Sequence, residues 1–330
     1  MFSTIYVEEE VLEIDRVRAL LDRFSDIPRV VCDRYGEVFN RKSQNFRLQK
    51  KAPALILAKK YGNKVLPAPP GYGYNDSKSY YFSHMLNCVY DCRYCFLQGM
   101  YSSANYVLFV NYEDFEASLV NKIESNSGGG VYYSGYDCDS LALEPVSNFC
   151  EHFLPLFRRY PNAELEIRTK STQVRSLLEM DVVPNCVIAM SFTLEEAAEK
   201  WEHKVPSIQK RVEALSKLQN AGWKVAVRFE PLILDSAAGG ASAYESLLEK
   251  VFSRLDVALL HSVSSGLFRM PVDFHKKIVK LYPDEDLYAR PTEVNEGMIS
   301  LKSADEGAQL LAFEKLLLSH VSTEQYYRCA

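Results

Sequence analysis

The stretch YFSHMLNCVYDCRYC, residues 81–95, joins a β-rich run to three closely spaced cysteines. Cys88, Cys92 and Cys95 follow a predicted strand over 81–87 in a C-x3-C-x2-C spacing, with Tyr94 just before the third cysteine. Three thiolates from one tight loop can hold three irons of a 4Fe–4S cube and leave the fourth iron open. A closed zinc site and an electron-carrying cube each need four ligands. The alternative is a zinc knuckle completed by His84 or a distant cysteine, although no second C-x2-C pair exists in the chain.

From this stretch onward, short apolar runs alternate with helical patterns. The pattern predicts strands at 81–87, 130–135, 164–168, 186–192, 224–230 and 256–262, and helices at 112–124, 146–159, 173–180, 207–221 and 242–254. Strands joined by crossover helices form parallel βαβ units, so the fold class is α/β. We expect a partial (β/α)6 TIM-like barrel, with an open doubly wound sheet as the alternative arrangement. In both arrangements the active site lies at the carboxyl ends of the strands.

Three regions are predicted. Residues 1–80 form an N-terminal α+β extension with a short strand Ile5–Val7, a helix over 8–24, an irregular basic stretch 29–64 and a Pro- and Gly-rich linker 66–79. Residues 81–265 form the partial barrel. Residues 266–330 form a C-terminal helical extension that completes or caps the barrel.

The composition is that of an ordered globular protein, with 47% hydrophobic and 25% charged residues in 330. The longest clean apolar run, Ala52–Ala58, contains a proline and is far too short for a bilayer, so no membrane association is expected. The net charge of -5 argues mildly against a polyanionic partner. However, the stretch 29–64 holds ten basic and two acidic residues, a local charge of +8, which leaves -13 for the rest. An acidic barrel with a basic arm is compatible with DNA.

The N-terminus has no pattern of a secretory signal, so a cytoplasmic location is expected. Thiols stay reduced there, which favours a metal site over disulfides for the clustered cysteines. Among the other five cysteines, Cys150 and Cys186 are predicted to pack in the core, and Cys32 and Cys329 stay unassigned.

The cysteine loop after the first barrel strand resembles the signature of the radical S-adenosylmethionine superfamily. This resemblance implies a 4Fe–4S cluster whose open iron binds S-adenosylmethionine, which the reduced cluster cleaves to methionine and a 5′-deoxyadenosyl radical. From about Tyr6 to about Ser265 the chain is similar to the spore photoproduct lyase branch of that superfamily. The implied activity is that of a carbon–carbon lyase that repairs an ultraviolet thymine photoproduct in DNA.

The resemblance also implies roles for individual residues. Cys138, in the segment 135–140 after the second strand, corresponds to the hydrogen-atom donor that quenches the substrate radical, and an S–H bond is weak enough for that transfer. Its alternative is a small buried thiol that fills core space. The implied cofactor contacts are Tyr94, Ser140, Lys170, which pairs with the cofactor carboxylate, and Ser191. Arg228 either faces the site and binds the cofactor or forms an ion pair with Glu230, which points to the same side of its strand.

Two departures leave the substrate open. The family has tyrosines on both sides of the third cysteine as a hydrogen relay, whereas this chain has Tyr94 and then Phe96, whose ring has no O–H. The run at 267–288 resembles a broader, less understood group of lyase-like proteins. The alternatives are therefore a radical enzyme of the same architecture that acts on another lesion, RNA or another substrate, and a non-catalytic Fe–S or zinc binding module. The expected partners are DNA, bound through 29–64, and an electron donor such as flavodoxin or ferredoxin.

Overall fold

The computed structural model describes residues 2–69, 72, 78–126, 129–234, 240–303 and 305–329. Its central sheet has eight strands, which lie side by side in the order Tyr326–Arg328, Ser262–Leu267, Lys224–Leu232, Cys186–Ser191, Ala163–Thr169, Gly130–Ser134, Ser79–Phe82 and Val65–Pro67. All neighbours pair in parallel except Val65–Pro67, which runs antiparallel at one edge. The parallel strands follow one another in chain order, without the reversal of a doubly wound sheet, and no pairing among the described strands closes the sheet, so it is a partial α/β barrel and the predicted fold class is confirmed.

The strand Lys224–Leu232 shows how the sequence builds this sheet. Val225, Val227 and Phe229 join the main core, where the helices pack. Successive side chains of a strand point to opposite faces, so Arg228 and Glu230 lie on the interior face of the barrel. Strands of this kind are buried on both faces, which is why they read as nearly continuous apolar runs with isolated charges.

Helices follow the strands as the alternation predicts. The crossover helices are Tyr112–Glu124, Phe149–Arg159, Arg175–Glu179, Ile208–Asn220 and Glu245–Phe252, with shorter helices at Leu97–Met100, Glu144–Ser147 and Glu195–Trp201. Cys150 and Cys186 are fully buried in the core that these helices cover, as predicted.

The N-terminal region contributes to a second sheet, which shares one hydrophobic core with the barrel. The strands of this N-terminal sheet are Arg29–Cys32, Ile5–Glu8, Leu55–Ala58, Tyr106–Phe109 and Met85–Leu86, in that spatial order. The first four are parallel and the last is antiparallel. Two of the five strands therefore come from sequence beyond residue 80. The predicted division into 1–80, 81–265 and 266–330 stays a prediction.

The prediction that 29–64 is irregular was wrong. Besides the strands Arg29–Cys32 and Leu55–Ala58, the stretch contains the helices Tyr35–Phe39 and Phe46–Lys51. These elements are only four to six residues long. The edge strand Arg29–Cys32 shows no alternation between buried and exposed positions, so periodicity could not reveal it.

Three further boundaries differ from the prediction. The helix expected over 8–24 is a 3-10 turn, Glu9–Val11, followed by the helix Asp15–Arg23. The strand expected at 81–87 is divided between the two sheets, as Ser79–Phe82 and Met85–Leu86. The last barrel strand is Ser262–Leu267, whereas 257–259 form a 3-10 turn that the Asp256 side chain caps. This strand contains three serines, of which Ser262 accepts from Arg228 and Ser264 donates to Glu230, so it does not have the apolar pattern of the other strands. Part of the linker 66–79 lies outside the described residues.

The C-terminal extension is more than helical. It contains the helices Val272–Leu281 and Glu306–Leu317 and a three-stranded antiparallel sheet formed by Arg269–Pro271, Met298–Leu301 and Thr292–Asn295. Helix Val272–Leu281 packs on the helix after the cysteines, where a Cβ on Gly99 would lie 2.4 Å from the Phe274 carbonyl oxygen. The described helices include none with the length and apolar character of a bilayer span. The cytoplasmic location stays a prediction.

Candidate active site

A cavity opens at the carboxyl ends of the central strands. It encloses about 1440 Å³ of space free of protein atoms, including a part that is open to solvent. Its lining includes Gly135, Lys170, Ser191, Glu230 and Gly266, each within two residues of the carboxyl end of a different strand. This is the edge at which the sequence predicted the chemistry.

Most predicted site residues meet there. The cavity is lined by Cys88, Cys92, Tyr94, Cys95, Cys138, Lys170 and Ser191. Two others, Ser140 and Arg228, are not among the described residues that line it.

The cysteine loop, residues 88–95, is held by backbone and side-chain hydrogen bonds. Asn87 precedes it with φ +67°, and its side-chain nitrogen donates to the carbonyls of Ser103 and Asn105, both at 2.7 Å. Inside the loop, the Tyr90 N–H donates to the Cys88 sulfur at 3.4 Å. Such an N–H favours the thiolate form and restricts the direction of the sulfur.

The three loop thiols fit the cluster that their spacing predicted. Burial raises the pKa of Cys88 to about 12, with a further contribution from Asp139, and burial also raises the pKa of Cys92 and Cys95. Bound iron supplies the positive charge that deprotonates such thiols. The described residues hold no group of three His, Cys, Asp or Glu side chains able to bind one metal ion. In a cube each thiolate binds a different iron, so the relevant observation is that all three thiols line one cavity.

Cys138 lies in a turn that only glycine can begin. Gly135 has φ +78°, and a Cβ there would lie 2.3 Å from the Ser140 hydroxyl oxygen. The Cys138 N–H donates to the Gly135 carbonyl at 3.3 Å. Burial, followed by the nearby Cys88 and Asp137, raises the pKa of Cys138 well above its ordinary value. The thiol is therefore neutral and keeps its S–H hydrogen at neutral pH.

Ser140 has a structural position behind that turn. Its hydroxyl lies 2.7 Å from the hydroxyl of Ser134 and is almost completely buried. The structure therefore shows Ser140 bracing the turn and does not support the predicted cofactor contact.

Asp139 joins the Cys138 turn to the strand that carries Lys170. Its carboxylate accepts from the Thr169 hydroxyl at 2.6 Å, the Lys170 N–H at 2.7 Å and the Leu141 N–H at 3.0 Å. The Lys170 ammonium lies over the Tyr94 ring, 5.5 Å from its centroid. Burial alone would lower the pKa of Lys170, but the charges of Cys92 and Glu202 raise it, so the side chain is a cation.

Glu202 is a site residue that sequence reasoning missed. Its carboxylate accepts from the Tyr94 hydroxyl and from Arg211 at 2.6 Å, and Arg211 also donates to the Ser191 carbonyl at 2.8 Å. Glu202 and Arg211 are both at most 1% exposed. Burial, and then Glu202, raise the pKa of Tyr94, so its phenol is neutral. The available signal is an acidic residue four positions before Pro206, which by itself predicts no role.

The prediction for Arg228 is not supported. Its guanidinium is fully buried and donates to the Glu166 carboxylate at 2.8 Å and the Ser262 hydroxyl at 3.0 Å. The alternative pair with Glu230 does not form either, because Glu230 accepts from Arg168 at 2.8 Å. The guanidinium of Arg228 therefore bonds to Glu166 and Ser262 inside the barrel. The alternation of side chains along a strand shows which face Arg228 lies on but does not show which acidic residue on that face it pairs with.

Phe96 stands where the predicted relay would need a hydroxyl. Its ring lines the cavity and contacts the rings of Tyr136, at 5.5 Å between centroids, and Phe274, at 6.5 Å.

The basic residues of 29–64 do not form one continuous surface. Lys50 is buried, and Arg34 bonds to Glu10 at 3.3 Å and covers the Tyr61 ring. Lys60 is half-buried and lies 5.3 Å from the Phe109 ring centroid. The exposed cations in the middle of the stretch are Arg41, Lys42, Arg47 and Lys51.

Comparison with known proteins identifies the family. The family model of spore photoproduct lyase matches residues 72–294, about two thirds of the chain. The chain belongs to the spore photoproduct lyase family. It is therefore a member of the radical S-adenosylmethionine superfamily, whose enzymes carry a 4Fe–4S cluster.

Two curated spore photoproduct lyases are similar to the chain. The Clostridium acetobutylicum protein is 23% identical over 214 residues, which cover 64% of this chain and 62% of that protein. The matched segment thus spans less than two thirds of that relative. The Bacillus subtilis protein is 20% identical over 291 residues, which cover 86% of this chain and 83% of that protein.

Solved spore photoproduct lyases share the fold. One, complexed with dinucleoside spore photoproduct, has a TM-score of 0.83 at 17% identity, over 100% of this chain and 98% of the other. A mutant with bound AdoMet and dinucleoside spore photoproduct has a TM-score of 0.83 at 16% identity, with the same coverage. At this level of identity the likeness shows the fold alone.

Proposed function

We propose that this chain is a radical S-adenosylmethionine lyase that repairs an ultraviolet thymine photoproduct in DNA. The observation that carries the proposal is the convergence of Cys88, Cys92, Cys95 and the neutral thiol of Cys138 on one cavity in a member of this family. Two curated relatives are named spore photoproduct lyases.

The proposed cofactor site uses five side chains. The three loop cysteines would hold a 4Fe–4S cluster, which together with S-adenosylmethionine supplies a 5′-deoxyadenosyl radical for hydrogen abstraction. Lys170 is half-buried and its ammonium lies over the Tyr94 ring, so it would pair with the carboxylate of the bound cofactor. Ser191 lines the same wall, and the bond from Arg211 to its carbonyl fixes its position.

Cys138 is proposed to return the hydrogen atom. Because its thiol is neutral and lines the cavity, it presents an S–H to a carbon radical formed there. The hydrogen passes from sulfur to carbon and leaves the unpaired electron on sulfur. Tyr94 is the candidate to restore that hydrogen, since its phenol is neutral and lines the same cavity. Phe96 cannot take part, so the relay has one member fewer than in the family pattern.

The surroundings of the cavity support a nucleic-acid lesion. The cavity is partly open to solvent at the carboxyl ends of the strands, so a flipped lesion could enter beside the cofactor. The related structures contain dinucleoside spore photoproduct. Exposed Arg41, Lys42 and Arg47 would contact phosphates. A flavodoxin or a ferredoxin is the proposed electron donor.

A second candidate function is radical chemistry of the same kind on another lesion or on RNA. Phe96 favours it, because it removes a hydroxyl from the wall of the cavity that the substrate would contact. This reading predicts cofactor cleavage without repair of spore photoproduct.

The test uses anaerobically reconstituted, reduced protein with an oligonucleotide that contains spore photoproduct. We expect restored thymines and substrate-dependent 5′-deoxyadenosine. Cys138→Ala should still form 5′-deoxyadenosine but lose restored thymine at least tenfold, whereas Cys150→Ala, a change at a buried core thiol, should retain both. If wild type forms 5′-deoxyadenosine but restores no thymine, the second function is correct. If neither product forms, the radical assignment is wrong.

A further inference from the structure

Lys50 is a buried cation that the cavity shares with the cysteine loop. It lies in the last turn of the helix Phe46–Lys51, which belongs to the N-terminal region, and is only 6% exposed. Its ammonium donates to the carbonyl oxygens of Cys88 at 3.2 Å and Tyr90 at 3.3 Å. In the sequence Lys50 belongs to the basic stretch 29–64, which was predicted to bind DNA. In the structure its side chain is buried, whereas the nearby Arg47 and Lys51 are exposed.

The loop is held from the opposite direction as well. Strand Asp91–Cys92 pairs with Glu202–His203, so Cys92 lies opposite Glu202. The Arg93 N–H extends this contact to the Trp201 carbonyl at 2.8 Å. Lys204, just after that strand, donates from its ammonium to the Lys50 carbonyl at 2.9 Å. The loop therefore lies between two elements that are themselves bonded through Lys50.

The charge of Lys50 matters because the loop sulfurs carry negative charge when they bind iron. Its ammonium bonds to the carbonyl of Cys88 itself and lines the same cavity as Cys95. The reduction potential of an Fe–S centre depends on nearby charge and on hydrogen bonding around its ligands. A positive charge favours the reduced state, which carries one more electron.

We propose that Lys50 is a positioning residue for the iron–sulfur site: it orients the cysteine loop through the Cys88 and Tyr90 carbonyls and raises the reduction potential of the cluster bound there. This inference rests on the proposed function, because it requires the cluster.

The experiment compares reconstituted Lys50→Met, Lys50→Gln and the matched control Lys51→Met, whose target is the exposed neighbour. Iron and sulfide content is measured first, and the potential is then titrated with dithionite and mediator dyes and followed by electron paramagnetic resonance. Lys50→Met removes charge and donors, so we expect lower cluster occupancy and a reduction equilibrium constant at least tenfold smaller, about 59 mV more negative. Lys50→Gln keeps one donor group, so occupancy should recover while the potential stays low. Lys51→Met should match wild type in both.

Each outcome decides the proposal. If both Lys50 variants bind a full cluster with the potential of Lys51→Met, the proposal is overturned, although the radical function stands. If Lys50→Met does not fold, as judged by circular dichroism of the metal-free protein, Lys50→Gln still tests the charge. If wild type itself binds no cluster, both the proposed function and the role of Lys50 are overturned.

Discussion

Arg228→Met tests whether the barrel charges serve stability or cofactor binding. Arg228 and, to a smaller extent, Arg168 overcome the effect of burial and lower the pKa of Glu166 to about 2 from an ordinary 4.5. At 1.36 kcal/mol per pKa unit, that difference corresponds to about 3 kcal/mol of stability at neutral pH. Loss of one member of a buried ion pair typically costs ~3–5 kcal/mol. Because Arg168 still bonds to Glu166 at 2.6 Å, we expect a loss near the lower limit.

The sign of the pH dependence follows from the lowered pKa. The contribution of Glu166 is complete above about pH 5 and is lost as the pH falls toward 2. The difference between wild type and Arg228→Met should therefore be largest at neutral pH and become smaller in acid. Urea unfolding of the metal-free proteins at pH 7 and pH 3 measures it.

The control is the double variant Arg228→Met/Glu166→Gln, which removes both charges and should recover at least about 1 kcal/mol over the single variant. Binding of S-adenosylmethionine to the cluster-loaded protein should change less than about threefold in Arg228→Met. The reasoning is refuted if stability at pH 7 changes by less than about 1 kcal/mol while cofactor affinity falls tenfold.

Three further outcomes are expected. Gly135→Ala would place a side chain on a residue with φ +78° and against the buried Ser140 hydroxyl. The variant should lose about 1–3 kcal/mol of unfolding free energy in urea and repair the lesion at least tenfold more slowly. Wild-type stability together with wild-type repair would contradict the role of this turn. Glu202→Gln leaves the buried Arg211 without its counter-charge and should lower the unfolding free energy by about 3 kcal/mol. The control Glu213→Gln changes an exposed carboxylate and should leave the unfolding free energy unchanged. Equal losses in the two variants would show that the Glu202–Arg211 pair does not stabilise the protein. Lys42→Met and Arg47→Met should each flatten the slope of log affinity for DNA against log salt by about 0.9, and an unchanged slope would remove them from the DNA surface.

The sequence predicted the parts of the site that depend on local spacing and on strand order. The cysteine loop is a single short segment, and Lys170 and Ser191 follow strands whose apolar runs are easy to recognise. Parallel strands bring their carboxyl ends to one edge, so these residues had to meet.

The sequence could not predict the ionic partners. Arg228 pairs with Glu166, which is 62 positions away in the sequence, and not with Glu230 on its own strand. The order of the strands and the length of the side chains determine which carboxylate lies nearest to the guanidinium. Glu202 reaches the site through a two-residue strand, too short to produce a periodic signal. Lys50 looked like its exposed neighbours, since a count of charges does not show which side chain faces the interior.

The strand order of the N-terminal sheet has a consequence for biosynthesis. Leu55–Ala58 is completely buried between Ile5–Glu8 and Tyr106–Phe109, so one of its edges stays unpaired until residue 109 has left the ribosome. An apolar strand with an open edge pairs readily with other chains. Nascent or truncated chains that stop before this point are therefore expected to aggregate, and a fragment of residues 1–80 should not fold as an independent unit.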